Sequence, residues 1–364
     1  MQLLEDDLFG LVPPVAPVEG TNTLKASLFT LVIVCKDVER AQHCQGVVHL
    51  IAKKFPCKII FVTVDPGAHE SFLRQFSTTR TIADGPGAIS CDVVSIQVSP
   101  DQLHIVPFLI TPELVADLPV FLLLGSDPAD VQMLVSSLEV HVSRIVFDAL
   151  RIPNVEQFAQ KILALPERQK YVDLNWARTK PWREALSKVF NSADALSDLM
   201  HCGRLEFRYS RRPGTSYDRC LDTQAIYLQA WIANRLRWQL VSVNESANEI
   251  QLVYATNQHE TVVVLSPADS DFMEEGSVTS VELRGQKDVH YLLNYDRDDR
   301  HIAVHASCQD RCEMPYTIFV GSFQRGRTLP TEIFQQAASE HYLPMLGALA
   351  QPLWNKDRSV AVAV

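Results

Sequence analysis

The sequence predicts an α/β amino-terminal domain, doubly wound around a mostly parallel sheet, followed by an α+β domain with a meandering antiparallel sheet. Three observations predict it. Over the first half, nearly unbroken apolar runs such as "SLFTLVIVC", "CKIIFVTVD" and "LPVFLLLG" alternate with segments of helical period. That is the pattern of strands covered on both faces and joined by crossover helices. Beyond about residue 237 the pattern becomes short strands separated by polar turns. Between the halves lies "LPERQKYVDLNWARTKPWRE", in which Trp176 and Trp182 are set among charged residues.

A chain of 364 residues, 47% hydrophobic and 21% charged, is long enough for two domains with ordinary cores. Its formal charge of -10 repels a phosphate backbone unless Lys and Arg are concentrated locally, and no such run occurs, so nucleic acid is not an expected partner. The start, "MQLLEDDLFG", has no basic segment followed by an apolar run. The apolar runs fall well short of the roughly 20 residues a membrane helix needs. A cytoplasmic protein without membrane contact is expected. The eight cysteines are scattered, and Cys35 and Cys91 sit in apolar runs, as reduced thiols packing like small hydrophobes.

Taken in order, residues 1–22 read as a flexible arm, because "LVPPVAPVEG" cannot form a regular helix. Residues 23–166 read as the α/β domain. The strand "SLFTLVIVC" leads to a helix over 38–54, with Asp37 as N-cap and Ala41, Cys44, Val48 and Ile51 at helical spacing, and then to the strand "CKIIFVTVD". "AISCDVVSIQVS" reads as a strand and "LHIVPFLITPELVADL" as a helical region broken at Pro107 and Pro112. "LPVFLLLG", a helix near 130–138, "SRIVFDA" and a helix over 155–164 complete this half. Residues 167–350 read as the α+β domain, with helices over 181–190, 193–200 and 219–235. "RLEFRYS" alternates Leu205, Phe207 and Tyr209 with Arg204, Glu206 and Arg208, a half-solvated strand. Seven further strands are expected, "WQLVSV", "EIQLVYA", "TVVVLS", "VTSVELR", "VHYLLNY", "HIAVHAS" and "YTIFVGS", then a helix over 331–342 and a loose tail over 351–364.

The sequence contains no G-x-G-x-x-G, Walker A loop, G-x-S-x-G or H-E-x-x-H. No cofactor and no metal are expected. His305, Cys308 and Cys312 lack a usual zinc spacing and a fourth ligand. Cys308 and Cys312 could instead form a reversible redox pair with Arg311 favouring a thiolate, or be two unpaired thiols at a strand end. Asp296, Asp298 and Asp299 fit a solvated hairpin loop better than a magnesium site. Arg204, Arg208, Arg211 and Arg212 could hold an anion, although a polar sheet face accounts for the first two.

Pro181 sets a helix start, and Trp182, Leu186 and Val189 share one face of that helix. Asp173 to Thr179 is left as a separate turn or short helix presenting Asn175, Trp176 and Arg178. Trp and Arg are enriched at binding hot spots, yet the same residues could clamp two domains of one chain together. "DLNWARTKPWRE" strongly resembles the signature of the OpcA family, the glucose-6-phosphate dehydrogenase assembly proteins. "TLVIVCKDVERA", "IIFVTVDP", "ISCDVVSIQV", "LPVFLLLGSDP", "RIVFDALRIPN", "LEFRYS" and "AIYLQAWIANRLRWQL" follow in the family's order, from about residue 24 to at least 242. The resemblance implies a non-catalytic partner of glucose-6-phosphate dehydrogenase, one that promotes assembly of that enzyme or acts as its allosteric effector in the pentose phosphate pathway. It carries over Asp173, Asn175, Trp176, Arg178, Trp182 and Arg183 as partner-binding or interdomain residues. The alternative is an enzyme acting on a sugar phosphate or lactone, with Arg178 or Arg183 as anchors and Asp173 or Glu184 as acid or base.

Overall fold

The computed structural model describes residues 24–25, 27–35, 41, 44, 51, 55–65, 67, 71–81, 89–125, 128–148, 152, 154–166, 170–212, 222–246, 249–256, 259–286, 288–296, 301–308, 311–312, 314–320 and 340–355. The chain divides into two compact units. One comprises Met1–Asp148, Gln169–Asp173 and Leu329–Gln335; the other comprises Ala149–Arg168, Leu174–Thr328 and Gln336–Val364. The expected arm, the N-cap Asp37 and nearly all of the helix expected over 331–342 lie outside the described residues.

The first unit is built on one sheet. Its strands are β1 (Leu24–Lys25), β2 (Thr30–Cys35), β3 (Lys58–Val64), β4 (Leu73–Thr81), β5 (Ile89–Val98), β6 (Val120–Leu124), β7 (Val142–Phe147) and β8 (Tyr171–Asp173). They are ordered β1-β5-β3-β2-β6-β7-β8, with β4 on β5. All pairs are parallel except β4–β5. The chain runs outward from β2 through β3 to β5, then returns to β6, β7 and β8 on the other side of β2. That is the doubly wound order, with its switch point between β2 and β6. Every residue of β2 and of β6 is buried, as double coverage requires. Ala41, Cys44 and Ile51 are helical and buried, in keeping with their spacing in sequence. The broken region is resolved as a 3-10 turn (Pro100–Ile105), helix α1 (Val106–Ile110) and a second 3-10 turn (Thr111–Glu113), each with proline in its first turn. Helix α2 follows at Gln132–Leu138.

Three strands of this sheet are not apparent from the sequence, and the first, β1, is only two residues long. β4 reads "LRQFSTTRT", too polar to suggest a strand, and it is tolerated because it pairs only along β5. β8 has three residues, too few to show a period, and lies in the stretch that reads as a linker.

The second unit holds helices α3 (Val155–Ala164), α4 (Leu174–Arg178), α5 (Lys180–Val189), α6 (Ala193–Met200), α7 (Thr223–Leu236) and α8 (Tyr342–Leu349). The Asn154 side chain caps α3 by accepting from the Gln157 N–H at 2.8 Å, and Ser192 caps α6 by accepting from the Ala195 N–H. The sheet contains β9 (Arg204–Arg211), β10 (Gln239–Glu245), β11 (Ile250–Ala255), β12 (Glu260–Asp269), β13 (Val278–Arg284), β14 (His290–Tyr295), β15 (His301–Cys308), β16 (Arg311–Cys312) and β17 (Tyr316–Phe319). The seven expected late strands are all present, but they do not form one meander. β10-β11-β12 and β13-β14-β15 are two meanders, and β9 lies between them, parallel to β12 and antiparallel to β13. The sheet is therefore mixed.

Leu205, Phe207 and Tyr209 of β9 are buried on one face, beside Val263 and Leu265 of β12 and Val281 and Leu283 of β13. Burying side chains of this size contributes about 1.5–3 kcal/mol each. Helix contacts fall on this same face: the Gln229 side chain accepts from the Tyr254 hydroxyl at 2.7 Å, and the Tyr291 hydroxyl donates to Asp198 at 2.8 Å. Near the carboxyl end, Pro352–Asn355 form a 3-10 turn with Trp354 buried.

Helix α7 ends at Arg237, whose φ of 57° and ψ of 36° place a residue with a Cβ in the left-handed region. That conformation costs an L-residue about 1–2 kcal/mol, and glycine adopts it freely. In urea unfolding, Arg237→Gly should therefore gain up to about 1 kcal/mol of stability after the entropic cost of glycine, whereas Arg237→Val should lose stability.

Candidate functional site

The signature segment starts in the first unit and continues in the second. Asp173 is the last residue of β8, fully buried and registered against Phe147. The other five residues belong to the second unit. Asn175 and Trp176 lie on α4 and are buried. The Asn175 Oδ1 accepts from Arg178 at 3.0 Å and from the Gln224 amide at 3.4 Å, which ties α4 to the first turn of α7. Thr179 ends this short helix, its hydroxyl donating to the Trp176 carbonyl at 2.7 Å. It also precedes α5, and Pro181 lies in that helix's first turn, close to the start read from the sequence.

Arg183 reaches back from α5. Its Nε donates to Thr179 Oγ1 at 3.1 Å, a terminal nitrogen donates to the Trp176 carbonyl at 3.3 Å, and its guanidinium carbon stands 3.7 Å from the centre of the Trp176 ring. A cation this close to an indole face, and partly desolvated, is attracted by the ring quadrupole. The other side of the environment is aromatic, with Tyr342 of α8 at 5.8 Å from Trp176 and Tyr227 of α7 at 6.3 Å from Tyr342. Trp182 is fully buried and donates its indole N–H to the Val278 carbonyl of β13 at 3.0 Å. The Trp176 N–H is also buried but has no acceptor among the described residues. These contacts make the signature a joint of packed aromatic and guanidinium groups within the second unit.

The remaining candidate residues are dispersed. β15 and β16 register Cys308 against Arg311 and Cys312 against Ser307. Arg211 forms an ion pair with Asp269 at 2.8 Å, and Arg212 approaches Glu275 at 3.7 Å. Arg204 and Arg208 both bond Glu206, on the strand face opposite Leu205 and Phe207. Among the described residues, no three His, Cys, Asp or Glu side chains are placed to hold a metal ion, and no helix is long and apolar enough to cross a membrane.

The switch point of the first unit is the place where doubly wound sheets hold a ligand, outside the carboxyl ends of the strands. β2 ends there at Cys35, and β6 is followed by Gly125, whose N–H donates to the Val34 carbonyl at 2.8 Å. A Cβ on Gly125 would stand 2.9 Å from the Cys35 sulfur and 3.3 Å from the Cys44 sulfur. Glycine is needed here for close packing against thiols. The sequence after β2, "CKDVERA", has none of the glycines that let a pyrophosphate approach the backbone. These residues do not fit a dinucleotide.

A second thiol pair escaped the sequence reading. The β3–β5 register, Ile59 against Val93, puts Cys57 level with Cys91, and both are buried. A hydrogen bond from Cys57 holds the Cys91 thiol down at about 7, while the same bond and burial push Cys57 up. No sequence spacing signals such a pair, since 33 residues of intervening chain separate it.

Comparison with known proteins agrees with this arrangement. Residues 48–164 match the family model described as glucose-6-phosphate dehydrogenase subunit N-terminal domain, and residues 169–318 match the corresponding C-terminal domain. The chain belongs to the OpcA family. OpcA of Synechococcus elongatus, assigned provisionally to the OxPP cycle, is 24% identical over 207 residues, which cover 56% of this chain and 45% of that protein. OpcA of Nostoc punctiforme, assigned likewise, is 23% identical over 205 residues, covering 56% and 42%. The match thus spans under half the length of these OpcA relatives. Among solved structures, glucose-6-phosphate 1-dehydrogenase from Mycobacterium avium shares the fold, with a TM-score of 0.57 over 91% of this chain and 93% of that one at 11% identity.

The two tryptophans of the OpcA signature should behave differently. Trp176→Phe keeps a ring under Arg183 and loses no indole hydrogen bond found among the described residues, whereas Trp182→Phe leaves the buried Val278 carbonyl without its indole donor. Urea denaturation should place Trp182→Phe about 1–3 kcal/mol below Trp176→Phe.

Proposed function

We propose that this chain is a non-catalytic partner of glucose-6-phosphate dehydrogenase. It acts in the cytoplasm to promote assembly of the enzyme's active oligomer or to bias its activity as an effector. The observation that carries the reading is the switch point: a doubly wound strand order in which Cys35 and Cys44 pack against Gly125, followed by the glycine-free sequence "CKDVERA". Membership of a family described by its link to the dehydrogenase supports this choice of partner.

A protein without a reaction centre changes an enzyme by binding one of its states more tightly than another, and its effect is limited by that difference in affinity. In this reading Asn175, Trp176, Arg178, Trp182 and Arg183 act from inside the second unit, fixing α4 and α5 so that its surface keeps one shape. Asp173 does the same for the end of β8. A redox response through Cys308 and Cys312 would be laid over this function, and it predicts a difference in binding with and without reductant.

Mixing tests the reading. The purified chain should co-migrate with the dehydrogenase in size-exclusion chromatography and raise its assembly or activity at micromolar concentrations. Unchanged mass and kinetics would contradict it, and turnover of a sugar phosphate or lactone by this chain alone would replace it with the enzymatic reading.

A further inference from the structure

The nine-stranded sheet of the second unit has two unlike faces. One carries the buried core and the helix contacts described above. The other carries Arg204, Glu206 and Arg208 of β9 and, through the antiparallel register, Arg284, Glu282 and Ser280 of β13 directly opposite them. It continues onto His290, Leu292 and Asn294 of β14 and onto Ser307, His305 and Ala303 of β15.

The charges on this face are arranged in rows that run across the strands. Arg204 faces Arg284, and Glu206 faces Glu282. Like charges directly opposite each other destabilise a sheet. The carboxylates are compensated along and across their strands: Glu206 by Arg204 at 3.5 Å and Arg208 at 3.0 Å, and Glu282 by Arg284 at 2.7 Å and His290 at 2.9 Å. Partial burial would raise the Glu282 carboxyl, but the hydrogen bonds and charges of Arg284 and His290 outweigh it and hold it below its ordinary value of 4.5. The two glutamates are sunk, with side chains 13% and 14% exposed, while Arg204, Arg208 and Arg284 stand out at 39%, 51% and 61%. Around β9 and β13 the outward groups are therefore guanidinium groups with donors to spare, above sunken carboxylates, while Glu260 of β12 is exposed at the margin of the same face.

The face is also of a size to matter. Seven strand spacings of about 4.8 Å by five or six residues of about 3.3 Å give roughly 600 Å². A standard interface takes about 800 Å² from each partner. Val253, Val262 and Leu292 lie half-buried among the charges and supply apolar contact.

We propose that this sheet face, centred on the cross-strand pair Arg204 and Arg284, is the surface that docks on glucose-6-phosphate dehydrogenase, its guanidinium groups taking carboxylates on that enzyme's own sheet face. The proposal rests on the partner reading above. The Mycobacterium avium dehydrogenase shares this fold, and sheets can pack face to face. Paired guanidinium groups select planar carboxylates. A second copy of this chain is a poorer occupant, because it would bring its own outward arginines against these.

The test compares wild type, R204E/R284E and R235E for binding to the cognate dehydrogenase, with sedimentation of each alone and circular dichroism as a check of folding. Arg235 is exposed on α7, away from the sheet face, and controls for charge reversal. Wild type and R235E should bind, and R204E/R284E should lose at least about ten-fold in affinity with its fold intact. Should the double variant fail to fold, R204Q/R284Q takes its place with the same expectation. Binding of the variant within two-fold of wild type overturns the docking surface and leaves the partner reading standing. A change in self-association with the complex unaffected assigns the face to a second copy and also overturns the proposal. If wild type does not bind at all, the partner reading fails and the proposal falls with it.

Discussion

The second unit depends on the register of β9. This strand is hydrogen-bonded parallel to β12 on one side and antiparallel to β13 on the other, so it joins two meanders into one sheet. Its period of two directs Leu205, Phe207 and Tyr209 to the helices and Arg204, Glu206 and Arg208 to the other face. A slip of one residue would exchange the two sets, burying three charges and exposing three large apolar side chains. The apolar side thus enforces the position of every charge on the outer side. The helices reinforce it from their own face, through the bond from Trp182 to the Val278 carbonyl and the ring contact of Phe190 with Tyr291 at 5.1 Å. The signature matters in the same way: Arg183, Thr179 and Asn175 lock the two short helices that deliver Trp182 to the sheet.

Much of this fold is legible in the sequence because its signals are local. The parallel strands of the first unit read as apolar runs, and the late strands read as alternating segments bounded by turn residues. What is not legible depends on partners distant in the chain. Nothing in "RLEFRYS" says that it will lie between β12 and β13 instead of beginning a meander. β4 is polar and β8 is short, and each is a strand because a neighbour offers it a ladder.

The candidate site was legible in part for the same reason. The composition of "DLNWARTKPWRE" marks it as unusual, and its helix start follows from Pro181. Which way the tryptophans point does not follow, since tryptophan beside arginine suits an exposed contact and a buried stack equally well. Here Arg183 lies over Trp176 and Trp182 reaches the sheet, so the segment serves the interior of its unit. The cross-strand arginines, the Cys57–Cys91 pair and the sulfurs around Gly125 are all products of tertiary register, and no spacing in the sequence announces them.

The first unit has the strand order of a dinucleotide-binding sheet, with Cys35 and Cys44 packed against Gly125 after β6. A cofactor's pyrophosphate needs glycine-lined backbone and a helix start free to meet it. Here Cys35 and Cys44 pack against Gly125, and the sequence "CKDVERA" after β2 carries no glycine. The most direct measurement is a calorimetric titration of the purified chain with NADP and NADPH. The account predicts no saturable heat up to millimolar nucleotide. Stoichiometric binding in the micromolar range would contradict it.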